Sequence, residues 1–515
     1  MLSCKPVAAL VVALSVAAAV AAAPASATTF CVPTFHAGCP NSGGNVAQAI
    51  VETAMSTNGS DGIADTVLIA PGTYTDTGSI QASGTDPLTV RGAGADQTEL
   101  TSSSSSNIYV LDLATGNTRA IDVHDLTVVV PASLPDGLGV AVQNEGDTLT
   151  NVDIEVRNPG SNALTSWPGG GSFRGGRIYA TGSGSVGSAI SVGSTATNVT
   201  IEDAQIEDAS TPIYNSGATA TLTVRGTRVV DPAQAVQVSA GNTLIENSTI
   251  EMTGPTAIYA LANGAASPTI SLDHITARND GSGSSAAIIS QVGGGMAGGA
   301  SVVVRNSILR GFAFGYLRQA PVGPGTGNAN LSIAYTNQTA GVPVTDSGDG
   351  ATALGAGNTT ADPQLVADMS LSAGSPAIDA ADPASTLTTD ILGAPRPVDG
   401  DAVAGTIADQ GAYEYQPPQP PQPPANPDTT PPDTVAGKGP KRKSAKRKAK
   451  FRFSSEAGAT FTCRLDKGPE KPCTSPAKVK RLKRGRHQFT VTATDAAGNA
   501  DPTPAKFRFR TIRKR

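Results

Sequence analysis

A short unit recurs along most of this chain and limits it to a fold built from stacked turns. Each copy is an apolar residue, any residue, then Asn, Asp, Gly or His, two further residues and a second apolar residue, and successive copies begin 21 to 33 residues apart. Repeats of this period indicate a solenoid, in which neighbouring copies stack and share one core. The copies are Val90-Gly92-Ala95, Val123-Asp125-Val128, Leu149-Asn151-Ile154, Phe173-Gly175-Ile178, Ile201-Asp203-Ile206, Val224-Gly226-Val229, Ile245-Asn247-Ile250, Leu272-His274-Ala277 and Val304-Asn306-Leu309.

The middle position of each copy is occupied by residues that suit a left-handed backbone. Glycine adopts positive φ freely, and Asn, Asp and His are the other residue types enriched there. We therefore expect a sharp corner at each middle residue. The two apolar residues would belong to short strands on either side of the corner and would point into a common core.

A second unit, made of a small, an apolar and a variable residue, predicts a third strand in each turn. No helix-length amphipathic pattern lies between the copies, and the dense Leu pattern of a leucine-rich repeat is missing. Charged residues are only 15% of the chain, which excludes a coiled coil or a charged helical bundle. The sequence therefore predicts an all-β chain containing a parallel β-solenoid. The copies are Ala141-Val142-Gln143, Ala163-Leu164-Thr165, Ala189-Ile190-Ser191, Pro212-Ile213-Tyr214, Ala235-Val236-Gln237, Ala257-Ile258-Tyr259 and Ala287-Ile288-Ile289.

With these units, residues 31–415 resemble the right-handed parallel β-helix proteins of the pectin-lyase-like group. Residues 65–74 and 88–92 look like the opening strands of that group. The helical spacing of Ala47, Ile50, Val51, Ala54 and Met55 is similar to its N-terminal cap. The resemblance implies a right-handed parallel β-helix over residues 28–415. The group includes lyases, hydrolases, esterases, adhesins and proteins without known activity, so the fold does not decide the function.

Residues 362–415, here called the closing segment, resemble the end of many bacterial surface β-helix proteins. The resemblance rests on Ser375–Asp379, Gly393–Arg396 and Asp409–Tyr415, and it implies a cap over the last turn. The alternative is a calcium site, because carboxylate oxygens suit Ca²⁺, although the spacing is not that of an EF-hand. No other cofactor is expected. The candidate ligands are Asp379, Asp390, Asp399, Asp401 and Asp409.

Residues 1–27 are typical of a secretory signal, with Lys5 before an apolar run and Ala25-Ser26-Ala27 at the cleavage site. The alternative is a membrane anchor, for which the run is short. We therefore expect a secreted or cell-surface protein without a transmembrane span, and a monomer. Four cysteines remain after cleavage, and two local disulfides are favoured over zinc because the spacing within each pair is too wide for a zinc knuckle. The pairs are Cys31/Cys39 and Cys463/Cys473.

The chain changes character after residue 415. Residues 416–448 read as a linker that is first proline-rich and then basic. Residues 449–512 alternate apolar and polar residues and resemble the immunoglobulin-like C-terminal modules of bacterial exported proteins, which implies a small β-sandwich. Residues 428–515 hold 24 Lys and Arg against 7 Asp and Glu, whereas no Lys occurs between Lys5 and Lys438. Two oppositely charged parts are therefore joined in one chain.

The basic stretch predicts retention on an anionic polymer of the cell envelope. A solvated basic face without a partner is the alternative, and nucleic-acid binding is disfavoured because aromatic residues are not interleaved with the cations. The candidate polyanion-binding residues are Lys441, Arg442, Lys443, Lys446, Arg447, Lys448 and Lys450.

The variable residues of the second unit predict the character of the solenoid's open flank. Gln143 and Ile289 stand at the two ends of this row, and no position in it carries a charge. Tyr and Trp present apolar faces with polar tips, which suits stacking on sugar rings. We therefore expect a non-catalytic protein that binds or displays an extracellular polysaccharide. The candidate glycan-binding residues are Thr165, Trp167, Ser191, Tyr214, Gln237 and Tyr259.

Two other functions remain open. A polysaccharide lyase or glycoside hydrolase would need carboxylates from loops such as 262–267 or 279–285, the second of which offers Asp280 beside Arg278. A purely structural spacer would bind no glycan through its body. One further cluster could hold a metal or substrate, or form a solvated ion ladder; it comprises Glu202, Asp203, Glu207 and Asp208, with Arg225 and Arg228 one turn later.

Overall fold

The computed structural model divides the chain into two compact units, residues 1–417 and 418–515, which are described separately. The predicted signal peptide, the predicted helical cap and Cys39 lie outside the described residues. Among the described residues, no helix is long and apolar enough to span a membrane. The structure describes residues 29–32, 63–81, 86–104, 106, 109–113, 119–134, 137–166, 169–181, 185–281, 285–294, 297–323, 325–339, 344–401, 405–418 and 428–513.

The first unit is a parallel β-helix with up to three strands in each turn, as predicted. Each strand pairs in parallel with the equivalent strands of the turns before and after it. Two rows of strands meet at the corner residues and form one 22-stranded sheet. The row before the corners comprises Thr29–Val32, Asp65–Ile69, Leu88–Arg91, Gly169–Arg174, Ala196–Glu202, Thr221–Arg225, Asn242–Glu246, Thr269–Asp273, Ala300–Arg305, Ala329–Ala334 and Gly350–Leu354.

The strands after the corners complete this wide sheet, and two long strands run through both rows. The long strands are Ile121–Val130 and Thr148–Val156. The row after the corners comprises Gly72–Asp76, Thr98–Ser102, Arg177–Ala180, Gln205–Glu207, Arg228–Val230, Thr249–Met252, Thr276–Asn279, Ile308–Arg310 and Asn337–Gln338.

The third row forms a separate 11-stranded sheet, here called the flank sheet. It contains the small-apolar-variable units, whose small and apolar residues are buried in the core of the solenoid. Its strands are Ile80–Gln81, Tyr109–Asp112, Leu138–Val142, Asn162–Ser166, Val186–Val192, Ala209–Asn215, Gln234–Val238, Thr256–Ala262, Ala286–Val292, Phe314–Gln319 and Val344–Ser347.

The left-handed corners are confirmed at eight of the nine predicted positions. Gly92 differs: it has no left-handed φ, but a Cβ there would lie 2.2 Å from the carbonyl oxygen of Asp125, so the close approach of the next turn requires glycine. Tyr335 forms a further corner, with φ 49°, which the residue pattern did not predict. The φ angles are 60° at Asp125, 52° at Asn151, 62° at Gly175, 54° at Asp203, 58° at Gly226, 45° at Asn247, 50° at His274 and 50° at Asn306.

The closing segment packs along the side of the solenoid, so the predicted cap over the last turn is wrong. Asn247 Nδ2 donates to the carbonyl of Thr389 at 2.7 Å, and Asn306 Oδ1 accepts the N–H of Asp382 at 2.7 Å. The last strand, Gly350–Leu354, stays largely exposed, with Leu354 61% accessible. The segment follows the corners because their Asn side chains offer hydrogen bonds to its backbone.

The second unit is a small β-sandwich, and its disulfide Cys463–Cys473 is confirmed. Phe451 stacks on Phe489 in its core, with ring centroids 4.0 Å apart. Cys31 of the first unit is also disulfide-bonded. The strands are Val435–Ala436, Lys443–Ser444, Lys448–Phe451, Phe453–Ser454, Thr460–Leu465, Lys471–Cys473, Ala477–Lys480, Gly485–Thr494 and Ala505–Thr511.

The basic stretch belongs to this sandwich, so describing residues 441–448 as a linker is wrong. Lys443–Ser444 pairs with Arg510–Thr511, and Lys448–Phe451 pairs with Ala477–Lys480. The reason is that Ala449 and Phe451 alternate with lysines and are buried, which fixes this segment as a strand.

Candidate functional site

The flank sheet brings most of the predicted glycan-binding residues into one row. Ser191, Tyr214, Gln237 and Tyr259 occupy equivalent positions in successive turns, and Ile289 follows them. All five are half-buried. Neighbouring turns are about 4.8 Å apart, so these side chains form a continuous line, here called the flank row.

The start of the predicted row differs from the structure. Thr165 pairs with Ser191 but also with Ala141, so Gln143 does not belong to the row. Thr165 is itself buried, with 4% of its surface accessible. Trp167 lies outside the described residues. The open part of the row therefore begins at Ser191.

Hydrogen bonds tie the polar tips of the flank row to the neighbouring outward residues. Tyr214 Oη lies 3.4 Å from Ser239 Oγ. Tyr259 Oη donates to Gln291 Oε1, and Gln291 Nε2 donates to Gln319 Oε1 at 3.3 Å. Burial raises the pKa of Tyr259, so its phenol stays neutral at physiological pH. The row thus offers aromatic faces and neutral donors and acceptors.

The flank sheet carries no charge over the strands from Val186 to Val292, as the sequence predicted. The next strand contains Arg318, which is buried and pairs with Asp346. Arg318 also donates to the carbonyls of Gly348 and Asp349, so it holds the last turns together.

Carboxylates border the flank sheet at one edge. Asp208 and Asp231 lie between the strand that follows the corner and the flank strand in two successive turns, both with φ 53°, and the N–H of Asp208 donates to the carbonyl of Val230. They line an open cleft of about 690 Å³ with Ser185 and Thr253, whose hydroxyl donates to Asp231 at 2.8 Å. Sequence reasoning named Asp208 but missed Asp231, which the stacking of the turns brings beside it.

The predicted acidic and arginine cluster forms an ion ladder between turns. Glu202 pairs with Arg174 at 3.1 Å, and Arg225 pairs with Glu246 at 2.6 Å. The closing segment walls this ladder at residues 389–393 and leaves a cleft of about 750 Å³, which Arg228 also lines. The paired charges favour a structural role for the ladder.

The remaining predicted polar residues have structural partners. Arg278 pairs with Asp280 at 3.2 Å, as expected. His274 is fully buried at its corner, with Nδ1 2.9 Å from Asp273 Oδ1, and burial lowers its pKa.

The structure brings together three of the five predicted calcium ligands. Carboxylate oxygens of Asp379, Asp399 and Asp401 lie within 4.8 Å of one another. Asp379 Oδ2 accepts the N–H of Gly400 and of Asp401, while its buried Oδ1 has no hydrogen-bond partner. Burial raises the pKa of Asp379. This donor set fits a hard cation such as Ca²⁺.

Asp390 and Asp409 instead organise the closing segment. Asp390 accepts the N–H of Leu392 and of Glu414. Asp409 accepts the N–H of Asp379 at 2.8 Å and that of Tyr415. Burial, with the nearby Glu414 carboxylate, raises the pKa of Asp409 to about 8.

All seven predicted polyanion-binding residues are exposed on the second unit, but they do not form one patch. Arg447 donates to the carbonyl of Leu482 at 2.8 Å and so has a structural role. Arg442 and Lys443 line a groove, whereas Lys448 and Lys450 lie on a different sheet.

Comparison with known proteins gives no family model and no curated relative that matches this chain. Similar solved structures include pectate lyase Pel9A, with a TM-score of 0.36, 13% identity, and 76% of this chain and 97% of that chain covered. The catalytic unit of the GH87 α-1,3-glucanase of Streptomyces thermodiastaticus has a TM-score of 0.36 and 16% identity, with 58% of this chain and 64% of that chain covered. The PL6 family polysaccharide lyase of Pseudopedobacter saltans has a TM-score of 0.38 and 11% identity, with 62% of this chain and 92% of that chain covered. At these TM-scores the similarity carries no argument for an activity.

Proposed function

We propose that the β-helix binds an extracellular polysaccharide along its flank row. The observation that supports this most directly is the uncharged line of Ser191, Tyr214, Gln237 and Tyr259 over successive turns. Tyr214 and Tyr259 stand two turns apart, about 10 Å, so a single extended chain could meet both rings. Aromatic rings with polar tips suit the alternating apolar and hydroxyl surfaces of sugars.

A glycan array and affinity measurements on the full chain test this proposal. Tyr214→Ala and Tyr259→Ala should each weaken binding about two- to tenfold, the range of single aromatic contacts. Tyr179→Ala is the matched control, because Tyr179 lies on the wide sheet, where it contacts Arg177. An equal loss in the control, or no glycan bound by the wild type, would refute the proposal.

The second candidate is a polysaccharide lyase or glycoside hydrolase. The observation that favours it is the pair Asp208 and Asp231 in the cleft beside the flank sheet. Paired carboxylates can act as acid and base, or as acid and nucleophile, on a bound sugar chain. Reducing-end and unsaturated-product assays on neutral and acidic polysaccharides test it. Turnover abolished by Asp208→Asn or Asp231→Asn, but not by Asp203→Asn, would replace the binding proposal.

The protein is proposed to act outside the cell, retained there by its second unit. The signal-like residues 1–27 and the excess of cations in residues 428–515 support this. Exposed charges are screened at moderate salt, so the full chain should elute from an anionic envelope polymer as ionic strength rises. Retention that molar salt does not affect would contradict it.

A further inference from the structure

A groove of about 850 Å³ in the second unit is lined mainly by cations. All five of them are exposed. Four are arginines, whose planar guanidinium carries five donors and keeps its charge at every physiological pH. The five cations are Arg442, Lys443, Arg486, Arg508 and Arg510.

The strand register places three of these like charges directly opposite one another. Arg510 pairs with Arg486 on one neighbouring strand and with Lys443 on the other. Opposed residues on adjacent strands lie about 5 Å apart at Cβ, where like charges destabilise the sheet. Arg508 lies two residues before Arg510 on the same strand, about 7 Å away. The fold therefore concentrates positive charge that stability alone would not favour.

In the described part of the second unit, no carboxylate forms an ion pair with these cations. Asp466, the one acid that lines the groove, lies 2.7 Å from His487 Nδ1, while His487 Nε2 faces the carbonyl of Lys483 at 2.8 Å. Both ring nitrogens face acceptors, which favours the protonated ring, and this contact engages the Asp466 carboxylate. Across residues 428–513 no ion pair involves any of the five groove cations. The side-chain hydrogen bond that the structure shows for these cations goes from Arg508 to the neutral Gln488.

We propose that this groove binds a phosphate-bearing polymer. The proposal rests on the retention function above and specifies its surface and its ligand. Several guanidinium groups from adjacent strands can share the oxygens of one tetrahedral phosphate, whereas a planar carboxylate presents only two. Phe509, the aromatic residue of the groove, is only 5% exposed, so the groove has no stacking platform for bases.

A second cationic cluster in the same unit provides a matched control. Lys448 faces Lys480, and Lys450 faces Lys478, on a two-stranded sheet. The stacked rings of Phe451 and Phe489 separate this sheet from the strand that carries Arg486. Packed sheets are about 10 Å apart, which exceeds the Debye length of about 8 Å at physiological salt. Charges on one cluster therefore contribute little to binding at the other.

The test measures binding of the full chain to poly(glycerol phosphate) at physiological ionic strength. The triple variant Arg486→Gln/Arg508→Gln/Arg510→Gln should bind about tenfold or more weakly, since each exposed ion pair contributes modestly and three are lost. Lys448→Gln/Lys450→Gln/Lys478→Gln removes the same charge and should lose less than about threefold. Arg510→Lys keeps the charge without the planar fork and should still weaken binding, so the proposal stays testable if the triple variant is unstable.

Each remaining outcome has a distinct meaning. Equal losses of affinity in the two triple variants would agree with retention by net charge, but they would overturn the proposal that the groove is the binding site. Equal affinity for polygalacturonate at the same charge concentration would overturn the preference for phosphate. Tighter binding of single-stranded DNA would show that the groove binds nucleic acid instead. If the wild type binds none of the three polymers, the retention function and the groove both fall.

Discussion

Arg396 and Glu414 form a fully buried ion pair, with Nε 2.8 Å from Oε2 and neither side chain exposed. The same guanidinium donates to Asn247 Oδ1 at 2.8 Å and to the carbonyl of Gly411 at 3.0 Å. The pair therefore fastens the closing segment to a corner residue of the solenoid that is 149 positions earlier in the sequence.

Breaking this pair should release the closing segment. Arg396→Met leaves Glu414 buried without its partner, which costs about 3–5 kcal/mol of local stability. Amide hydrogen exchange in residues 362–415 of the full chain measures the effect. The double variant Arg396→Met/Glu414→Leu should recover part of the protection, because it removes the unpaired charge, although the N–H groups of Val398 and Asp409 then lose the Glu414 oxygens that accept them. A single variant that exchanges like the wild type would show that the pair does not hold the segment.

The corner residue Asn247 should help to hold the closing segment, a role that corners away from that segment lack. Asn247→Gly keeps the left-handed φ of 45° but removes the hydrogen bonds to Thr389 and Arg396. We expect faster exchange in the closing segment, since each lost bond contributes about 1 kcal/mol. Asn151→Gly is the control, because Asn151 has φ 52° and its side chain contacts Asp125 instead. Similar exchange in both variants would contradict this assignment.

The second unit should lose stability as pH rises above 6.5. Burial alone would lower the pKa of His487, but the Asp466 carboxylate and the Lys483 carbonyl outweigh it and raise that pKa above its usual 6.5. The folded state therefore holds its proton more tightly than the unfolded state. This stabilisation is fully present below pH 6.5 and is lost as pH rises through the folded-state pKa.

NMR titration of His487 measures the pKa directly. Asp466→Asn should shift the pKa back toward 6.5 and flatten the pH dependence of the unit's unfolding. A pKa at or below 6.5 in the wild type would contradict the role given to Asp466 and Lys483 in raising it.

Calcium binding stays a prediction for the three converging carboxylates. Asp379, Asp399 and Asp401 repel one another, so Ca²⁺ should raise the thermal unfolding midpoint of the full chain by a few degrees, about 1 kcal/mol of linkage. Asp401→Asn should abolish this shift, while Asp203→Asn, at a corner outside the cluster, should not. No shift with millimolar Ca²⁺ would reject the site.

The residue pattern was sufficient for the flank row but not for its start. Ser191, Tyr214, Gln237 and Tyr259 align in the structure as their shared spacing predicts. Gln143 belongs to the same pattern and still falls outside the row, because Thr165 pairs with Ala141. The pairing register depends on how many residues the loop between successive strands takes up, and one sequence does not reveal that number.

The carboxylates beside the flank sheet and the cations of the groove show a second limit of prediction from sequence. Asp231 becomes a neighbour of Asp208, and Arg486 a neighbour of Arg510, only through strand pairing. Local patterns report what a residue does within its own strand. They contain no information on which distant strand lies next to it.

The sequence alone determined the coil of three-stranded turns, its left-handed corners and the uncharged flank, because steric limits on φ and the burial of alternate side chains act over a few residues. Tertiary structure decided where the closing segment lies, which carboxylates converge and which cations share a groove. Those contacts join positions far apart in the chain, and their free energies depend on burial, charge pairing and register, which exist only once the turns have stacked.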